Sequence, residues 1–233
     1  MTIQGNPEAH IWLFDFDNTL AALEPEVDWA GSRRRLETFL RSERIDEAIL
    51  DEFPARNLPL YNALFTRLFH DSQYGANLMR QASAIIESYE LRGVENASPL
   101  PGAIELLLEL HSRGNRVAII TSNSSRTVTR WLGLHSVAPA VRAIIGRDSM
   151  LPLKPSPAMI IRALELSEGS EPDAVVVGDS EADLHAASAA QVAFFGVSTD
   201  LNARNRLTSL GACDVFHSPA DLARHRSLFS TSS

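Results

Sequence analysis

Short apolar runs recur along the chain, and each is followed by polar residues or glycine. The first covers Ile11–Phe14 and leads into an acidic pair. A run of strand length that is apolar at every position is typical of a strand buried on both faces of a parallel sheet. Similar runs predict further strands at 117–120, 143–145, 175–177, 192–195 and, more weakly, 215–216.

Helical patterns lie between these strands, at 103–112, 125–132, 156–166 and 182–190. Strands that alternate with helices favour right-handed crossovers and a parallel sheet. We therefore predict an α/β fold, with a Rossmann-like parallel sheet core and helices on both faces. Polar residues gather at the carboxyl ends of the predicted strands, which is the edge where open α/β sheets bind ligands.

The alternation stops between residues 22 and 98, where only helical patterns occur, at 32–41, 46–53, 60–69 and 75–92. Proline and glycine cluster near the two ends of this stretch, at 23–25 and 97–102, and mark plausible joints. We predict a core domain formed by residues 1–21 and 99–233, and an inserted all-helical cap domain formed by residues 22–98.

Composition narrows the classes of function. The 233 residues are 45% hydrophobic and 21% charged, as in an ordinary globular protein, and the net charge of −8 argues against binding to nucleic acid or anionic lipid. Residues 1–10 lack the pattern of a secretory signal, and no apolar stretch approaches the roughly 18 residues of a membrane span. The single cysteine, Cys213, excludes an internal disulfide. We expect a cytoplasmic protein without nucleic-acid or membrane partners.

Four polar segments at the strand ends carry the candidate chemistry. Asp15 and Asp17 lie two residues apart, and crowded carboxylates favour a cation or a shared proton. Mg²⁺ binds such oxygen ligands. Thr121 and Ser122 precede a helix, where hydroxyls and amides form either an anion cradle or a simple N-cap.

Lys154 lies beside Pro155 and is the only lysine, against 20 arginines. Any role that requires lysine therefore falls on Lys154, although an exposed surface lysine is the usual alternative. Asp179 follows Gly178 in a strand-to-helix turn, and Asp183 comes about one helical turn later. Each acidic residue alone fits ordinary helix capping, so the combination of the four segments carries the prediction.

In this order the segments resemble the motifs of the haloacid dehalogenase-like superfamily. The resemblance covers residues 11–20 and 99–218, and the helical stretch occupies the position of the family's small cap. The matched positions are Asp15, Asp17, Thr19, Thr121, Lys154, Asp179 and Asp183. Segments 15–20 and 178–183 are most similar to a phosphoglycolate-phosphatase-like branch, whereas the Ala-Ala-Leu at 21–23 departs from it. A small phosphomonoester is the substrate class that this implies.

The resemblance implies a magnesium-dependent phosphatase. Asp15 would be the nucleophile that forms an aspartyl phosphate, and Asp17 would be the general acid and base. The substrate phosphate would be bound by Thr121, Ser122 and Lys154. The metal would be held by Asp15, the backbone carbonyl of Asp17 and Asp179, with Asp183 in support. Lys154 is expected to pair with Asp15 or Asp183.

Several alternatives share this fold. A dehalogenase uses the same nucleophile but needs no metal, so Asp17 and the pair Asp179 and Asp183 favour phosphate chemistry. A phosphonate hydrolase needs a cap lysine, and residues 22–98 contain none. A sugar phosphomutase, or a catalytically quiet binding module, stays open. Six polar or aromatic cap residues are candidates for substrate contacts without an assigned role: Glu24, Arg33, Arg34, Tyr61, Arg67 and His70.

Overall fold

The structure is a computed structural model that describes residues 10–54, 56–68, 72–168, 170 and 173–225. Within these residues, six parallel strands form one sheet in the order β3-β2-β1-β4-β5-β6. The strands are β1 (Ile11–Phe14), β2 (Arg116–Ile120), β3 (Ala143–Ile145), β4 (Ala174–Gly178), β5 (Ala193–Val197) and β6 (Asp214–Phe216). The predicted parallel α/β core is confirmed.

Strand β1 lies at the centre of the sheet, between β2 and β4. Trp12 is in register with Val117 on one side and with Val175 on the other. Ile11 and Leu13 enter the core on one face of the sheet, and the alternate residues of the strand enter the core on the opposite face. Burial on both faces explains why this strand is apolar at every position.

Helices cover both faces of the sheet. Those that follow the sheet elements are α5 (Ala103–Ser112), α6 (Ser125–Leu134), α7 (Ala158–Leu166), α8 (Glu181–Ala189), α9 (Leu201–Ser209) and α10 (Pro219–Ala223). The sequence prediction lacks α9 and α10. Helix α9 is mostly polar, and its start is set by Asp200, whose side chain accepts a hydrogen bond from Ala203 N at 2.8 Å.

The stretch between β1 and α5 is helical, as predicted. It contains α1 (Trp29–Ser42), α2 (Glu47–Glu52), α3 (Asn57–Leu68) and α4 (Gln73–Gly93). Residue 69, the predicted end of the third helix, lies outside the described residues. Residues 1–9, most of the N-terminal stretch that lacks a signal-peptide pattern, lie outside them as well. In the described part of the chain, no helix has both the length and the apolar composition of a membrane span.

The chain leaves and re-enters the core at one place. Ala22 N donates to Ser98 O at 2.9 Å, and Leu100 N donates to Leu20 O at 2.9 Å. The two connecting segments therefore run side by side. We refer to residues 22–98 as the helical insertion, and its status as a separate cap domain stays a prediction.

The helical insertion contributes to the apolar clusters on both faces of the sheet, and Leu23 and Val94 belong to the cluster of Trp12 and Phe14. Its buried side chains Leu36, Leu64 and Met79 belong to the same apolar cluster as Leu13 and Ile120 of the strands. Such continuous packing holds the first turns of α1 and α3 close to the carboxyl edge of β1. The insertion is thereby positioned to contribute side chains to any site at that edge.

Candidate active site

All seven site residues predicted from the sequence line one open cavity of about 720 Å³. They lie beyond the carboxyl ends of the strands, the edge at which open α/β sheets bind ligands. The set consists of Asp15, Asp17, Thr121, Ser122, Lys154, Asp179 and Asp183. Strand ends therefore bring together residues that are up to 168 positions apart in the chain.

Asp15 follows directly after β1, and its backbone N donates to Val177 O at 2.8 Å. Its carboxylate contacts Lys154 Nζ, which also contacts Asp183 and lies 3.2 Å from Ile120 O. Both ion pairs expected for Lys154 are present. Burial disfavours the ammonium ion, but the attraction of the two carboxylates outweighs it and raises the pKa of Lys154 well above its usual range.

A tight turn after Asp15 positions the residues of the first motif. Leu20 N and Ala21 N both donate to Phe16 O, at 2.8 Å and 3.0 Å. Asn18 has a left-handed φ of 60°, a conformation that asparagine tolerates better than most residues. The turn places the Thr19 hydroxyl 3.5 Å from Asp15 Oδ2 and 3.4 Å from Asp179 Oδ1, so Thr19 links the first and last motifs.

Asp17 is held by the backbone that enters the helical insertion. Its Oδ1 accepts hydrogen bonds from Leu23 N at 3.0 Å and Glu24 N at 2.9 Å. Burial raises the pKa of Asp17 to about 7, against the lowering effect of these two amides. A carboxyl group that keeps its proton near neutral pH is suited to general acid catalysis.

Gly178 leaves room for the Asp183 side chain in the turn between β4 and α8. A Cβ atom at this position would lie 2.6 Å from Cβ and Cγ of Asp183, so a larger residue would displace the aspartate. Asp183 Oδ2 accepts hydrogen bonds from Ser180 N at 3.1 Å and Ser180 Oγ at 2.5 Å, in a capping box at the start of α8. One oxygen of Asp183 thus caps the helix, and the other contacts Lys154.

The carboxylates form a site that fits a divalent cation. Asp15, Asp179 and Asp183 each offer an oxygen within 4.8 Å of the others. Burial raises the pKa of Asp15 to about 6 although Lys154 opposes the shift, and burial and Asp15 together raise the pKa of Asp179 to about 8. A cation among these oxygens would favour their ionised forms, and Mg²⁺ prefers such ligands.

The loop after β2 carries the predicted phosphate-binding residues. Thr121 is buried, and its hydroxyl donates to Asn123 Oδ1 at 3.1 Å while Asn123 N donates back to Thr121 Oγ1 at 3.1 Å. Ser124, rather than Thr121 or Ser122, is the N-cap of α6, and it accepts a hydrogen bond from Thr127 N at 3.1 Å. The simple N-cap interpretation therefore applies to Ser124.

The helical insertion lines the outer part of the cavity. Among the six cap candidates named above, Glu24 lies there, and the sequence prediction missed the other contributors: Trp29, Arg56, Asn57, Leu58 and Pro59. These residues lie at the first turns of α1 and α3. Their sequence contains no motif that would have singled them out.

Other cap candidates have structural partners. Arg33 is 6% exposed, forms an ion pair with Glu37 at 2.5 Å and donates to Leu50 O at 2.9 Å. Arg67 pairs with Glu52 at 2.8 Å. Tyr61 is buried within the insertion, and His70 lies outside the described residues.

Known proteins share both the sequence pattern and the fold. A family model described as haloacid dehalogenase-like hydrolase matches residues 12–197. A phosphoglycolate phosphatase from Rhodospirillum rubrum is 31% identical over 223 residues, which cover 90% of this chain and 88% of the relative. The solved structure of a putative beta-phosphoglucomutase from Bacteroides vulgatus has a TM-score of 0.66 at 18% identity and covers 96% of this chain and 90% of its own.

Proposed function

Because the chain belongs to the haloacid dehalogenase-like hydrolase family, we propose that it is a magnesium-dependent phosphatase that hydrolyses a small phosphomonoester in the cytoplasm. The observation that carries the proposal is the position of Asp15. Its carboxylate lies in a cavity together with Lys154, Thr121 and three further aspartates, and similar proteins include phosphoglycolate phosphatases.

In the first step, an oxygen of Asp15 forms a bond to phosphorus while the bond from phosphorus to the leaving oxygen breaks. Asp17 donates its proton to that oxygen. In the second step, water attacks phosphorus, Asp17 takes a proton from the water, and the bond from phosphorus to Asp15 breaks. Splitting the hydrolysis into two displacements is the usual benefit of a covalent intermediate.

The remaining residues stabilise charge during these steps. Lys154 and Thr121 would bind the oxygens of the transferring phosphoryl group, together with Ser122. A magnesium ion on Asp15 and Asp179, with the carbonyl of Asp17 and with Asp183 nearby, would offset the repulsion between the nucleophile and the anionic phosphate. The raised pKa of Asp17 supports its role as the proton donor.

The test compares an Asp15→Asn variant with a matched control. We expect wild-type protein to release phosphate from p-nitrophenyl phosphate with Mg²⁺, to lose this activity in EDTA, and to regain it when Mg²⁺ is restored. Asp15→Asn should lower kcat/KM by about a thousandfold or more. Asp200→Asn, which alters a helix cap outside the cavity, should retain the activity, because asparagine caps as well as aspartate. Full activity of Asp15→Asn would refute the proposal.

A phosphomutase would use the same first step but would return the phosphoryl group to a sugar. The fold shared with a putative beta-phosphoglucomutase makes this the second reaction to test. Incubation with hexose monophosphates, followed by both phosphate release and sugar isomer analysis, separates the two activities. The proposed phosphatase releases phosphate, whereas a mutase interconverts the isomers with little release.

The outer part of the cavity suggests which leaving groups suit the site. Arg56 is exposed at this position, beside Trp29 and Asn57, and its guanidinium suits a carboxylate. We therefore expect phosphoglycolate to be hydrolysed more efficiently than ethylene glycol monophosphate, which has a hydroxyl group in place of the carboxylate. Arg56→Gln should reduce this preference and leave turnover of ethylene glycol monophosphate unchanged. Equal preference in both proteins would exclude Arg56 from substrate recognition.

A further inference from the structure

A buried ion pair joins the helical insertion to the segment after β3, and both of its residues also contact the loop that carries Thr121. Glu90 lies on α4, Arg147 follows β3, and both side chains have 0% exposure. Arg147 Nη1 lies 2.7 Å from Glu90 Oε1, and Arg147 Nη2 lies 3.1 Å from Glu90 Oε2. Neither residue lines the cavity described above, so any influence on phosphate must act through other residues.

The guanidinium of Arg147 is fully engaged. Its five N–H groups reach both oxygens of Glu90, Ser122 O, Ser83 Oγ and Ser83 O, at distances between 2.7 and 3.3 Å. Its backbone N also donates to Asn123 O at 2.8 Å. Arg147 therefore holds two carbonyl oxygens of the loop after β2, and a carbonyl engaged in this way does not face a phosphate that it would repel.

Glu90 accepts hydrogen bonds from a side chain and from a backbone amide of the same loop. Asn123 Nδ2 donates to Glu90 Oε1 at 3.1 Å, and Ser124 N donates to Glu90 Oε2 at 3.1 Å. A carboxylate only accepts hydrogen bonds, so the Asn123 amide must turn its nitrogen towards Glu90. Asn123 Oδ1 is left to face the Thr121 hydroxyl, at 3.1 Å. The positions of Asn123 and Ser124 thus depend on the carboxylate of Glu90.

We propose that Glu90 and Arg147 are positioning residues that set the backbone of residues 121–124 for phosphate binding. The inference rests on the proposed function, because it assigns the phosphate to this loop. It goes beyond that function by giving a residue of the helical insertion a defined effect on the phosphate site. The effect passes from Glu90 and Arg147 through their hydrogen bonds to Ser122 O, Asn123 and Ser124 N.

Glu90→Gln tests this relay with little change of shape. A glutamine has one acceptor oxygen and an NH₂ group, and that NH₂ group would face a donor, either Asn123 Nδ2 or Ser124 N, so one of the two hydrogen bonds that hold the loop is lost. We expect the Kd of inorganic phosphate, measured by calorimetry in saturating Mg²⁺, to rise about tenfold or more, the effect of one lost hydrogen bond to a charged group. The Kd of Mg²⁺ alone should stay unchanged, because Glu90 does not contact the aspartate cluster.

Glu87→Gln is the matched control. Glu87 lies one turn earlier on α4 and pairs with Arg126 of α6 at 2.6 Å, so it also joins these two helices. The control should leave both dissociation constants unchanged. Phosphate binding in Glu90→Gln that equals that of Glu87→Gln would overturn the inference, as would an equal loss of phosphate and magnesium binding.

A double variant covers the case in which Glu90→Gln does not fold. Glu90→Leu combined with Arg147→Met leaves neither charge buried alone, and it should fold yet still bind phosphate about tenfold more weakly. Wild-type affinity in this variant would overturn the positioning role. The proposed function fails separately, if wild-type protein neither binds phosphate nor hydrolyses a phosphomonoester.

Discussion

Replacement of Arg147 by methionine removes the charge at the junction between the helical insertion and the core while keeping an unbranched apolar stem. The change leaves Glu90 buried at 0% exposure without its cation. Glu90 keeps three hydrogen-bond donors, namely Asn123 Nδ2, Ser124 N and the Thr127 hydroxyl at 3.3 Å. Ser83 O and Ser122 O lose the donors that Arg147 supplied.

The cost follows from the burial of the remaining charge. Removing one partner of a buried ion pair destabilises a protein by about 3–5 kcal/mol. The three remaining donors to Glu90 place this variant near the lower end of that range. For a chain of this length, each kcal/mol shifts the melting temperature by about 2–4 °C, so we expect a decrease of roughly 6–12 °C.

Thermal unfolding followed by circular dichroism measures this decrease. Arg126→Met is the control, because its ion pair with Glu87 also joins α4 to the core but Arg126 is 72% exposed. The control should shift the melting temperature by no more than about 3 °C. Addition of Glu90→Leu to Arg147→Met should recover part of the loss, since no unpaired charge then remains. If Arg147→Met melts within the range of the control, the pair contributes little and the reasoning is wrong.

Three further predictions concern the aspartate cluster and its surroundings. The pKa values of Asp15 and Asp179 are raised to about 6 and about 8, so without metal the contribution of these groups to stability is lost as the pH rises from about 4 through 8. Because Mg²⁺ binds the ionised forms, it should raise the melting temperature more at pH 8 than at pH 5. An equal gain at the two pH values would contradict this. Lys154 is 6% exposed and has a strongly raised pKa, so its acetylation at pH 8 should be much slower in folded than in urea-unfolded protein. Mass spectrometry measures the two rates, and equal rates would refute the burial of Lys154 in the ion pairs. Gly178→Ala should lower kcat/KM about tenfold or more by displacing Asp183, and unchanged kinetics would show that the turn accommodates a Cβ atom.

The central part of the fold was predictable because the strands are buried on both faces. A strand such as Ile11–Phe14 must be apolar at every position, and this pattern is visible in the sequence. Helix α9 gives no comparable signal, since Leu207 is its only buried residue among those described. Its existence depends on the Asp200 cap and on packing against the end of the sheet, neither of which produces a periodic apolar pattern.

The position of the candidate active site was predictable for a topological reason. Parallel strands place their carboxyl ends together, so residues after β1, β2 and β4 meet whatever the length of the chain between them. The topology of the sheet does not determine how the helical insertion packs against this edge. Trp29, Arg56 and Asn57 reach the cavity only because α1 and α3 pack with their first turns towards it, and helical periodicity does not reveal the direction of that packing.

Charged residues that become buried were the hardest to identify, because their partners are distant in sequence. Arg147 meets Glu90 from 57 positions away, and Arg33 reaches backbone carbonyls of the α2 to α3 region.

The geometry of each site explains which cation it uses. Arg147 presents a planar fork to the two oxygens of one carboxylate, a task suited to guanidinium. Lys154 instead places one nitrogen among Asp15, Asp183 and Ile120 O, and a compact ammonium with three donors fits three acceptors that lie in different directions. The only lysine of the chain thus lies where arginine would fit poorly.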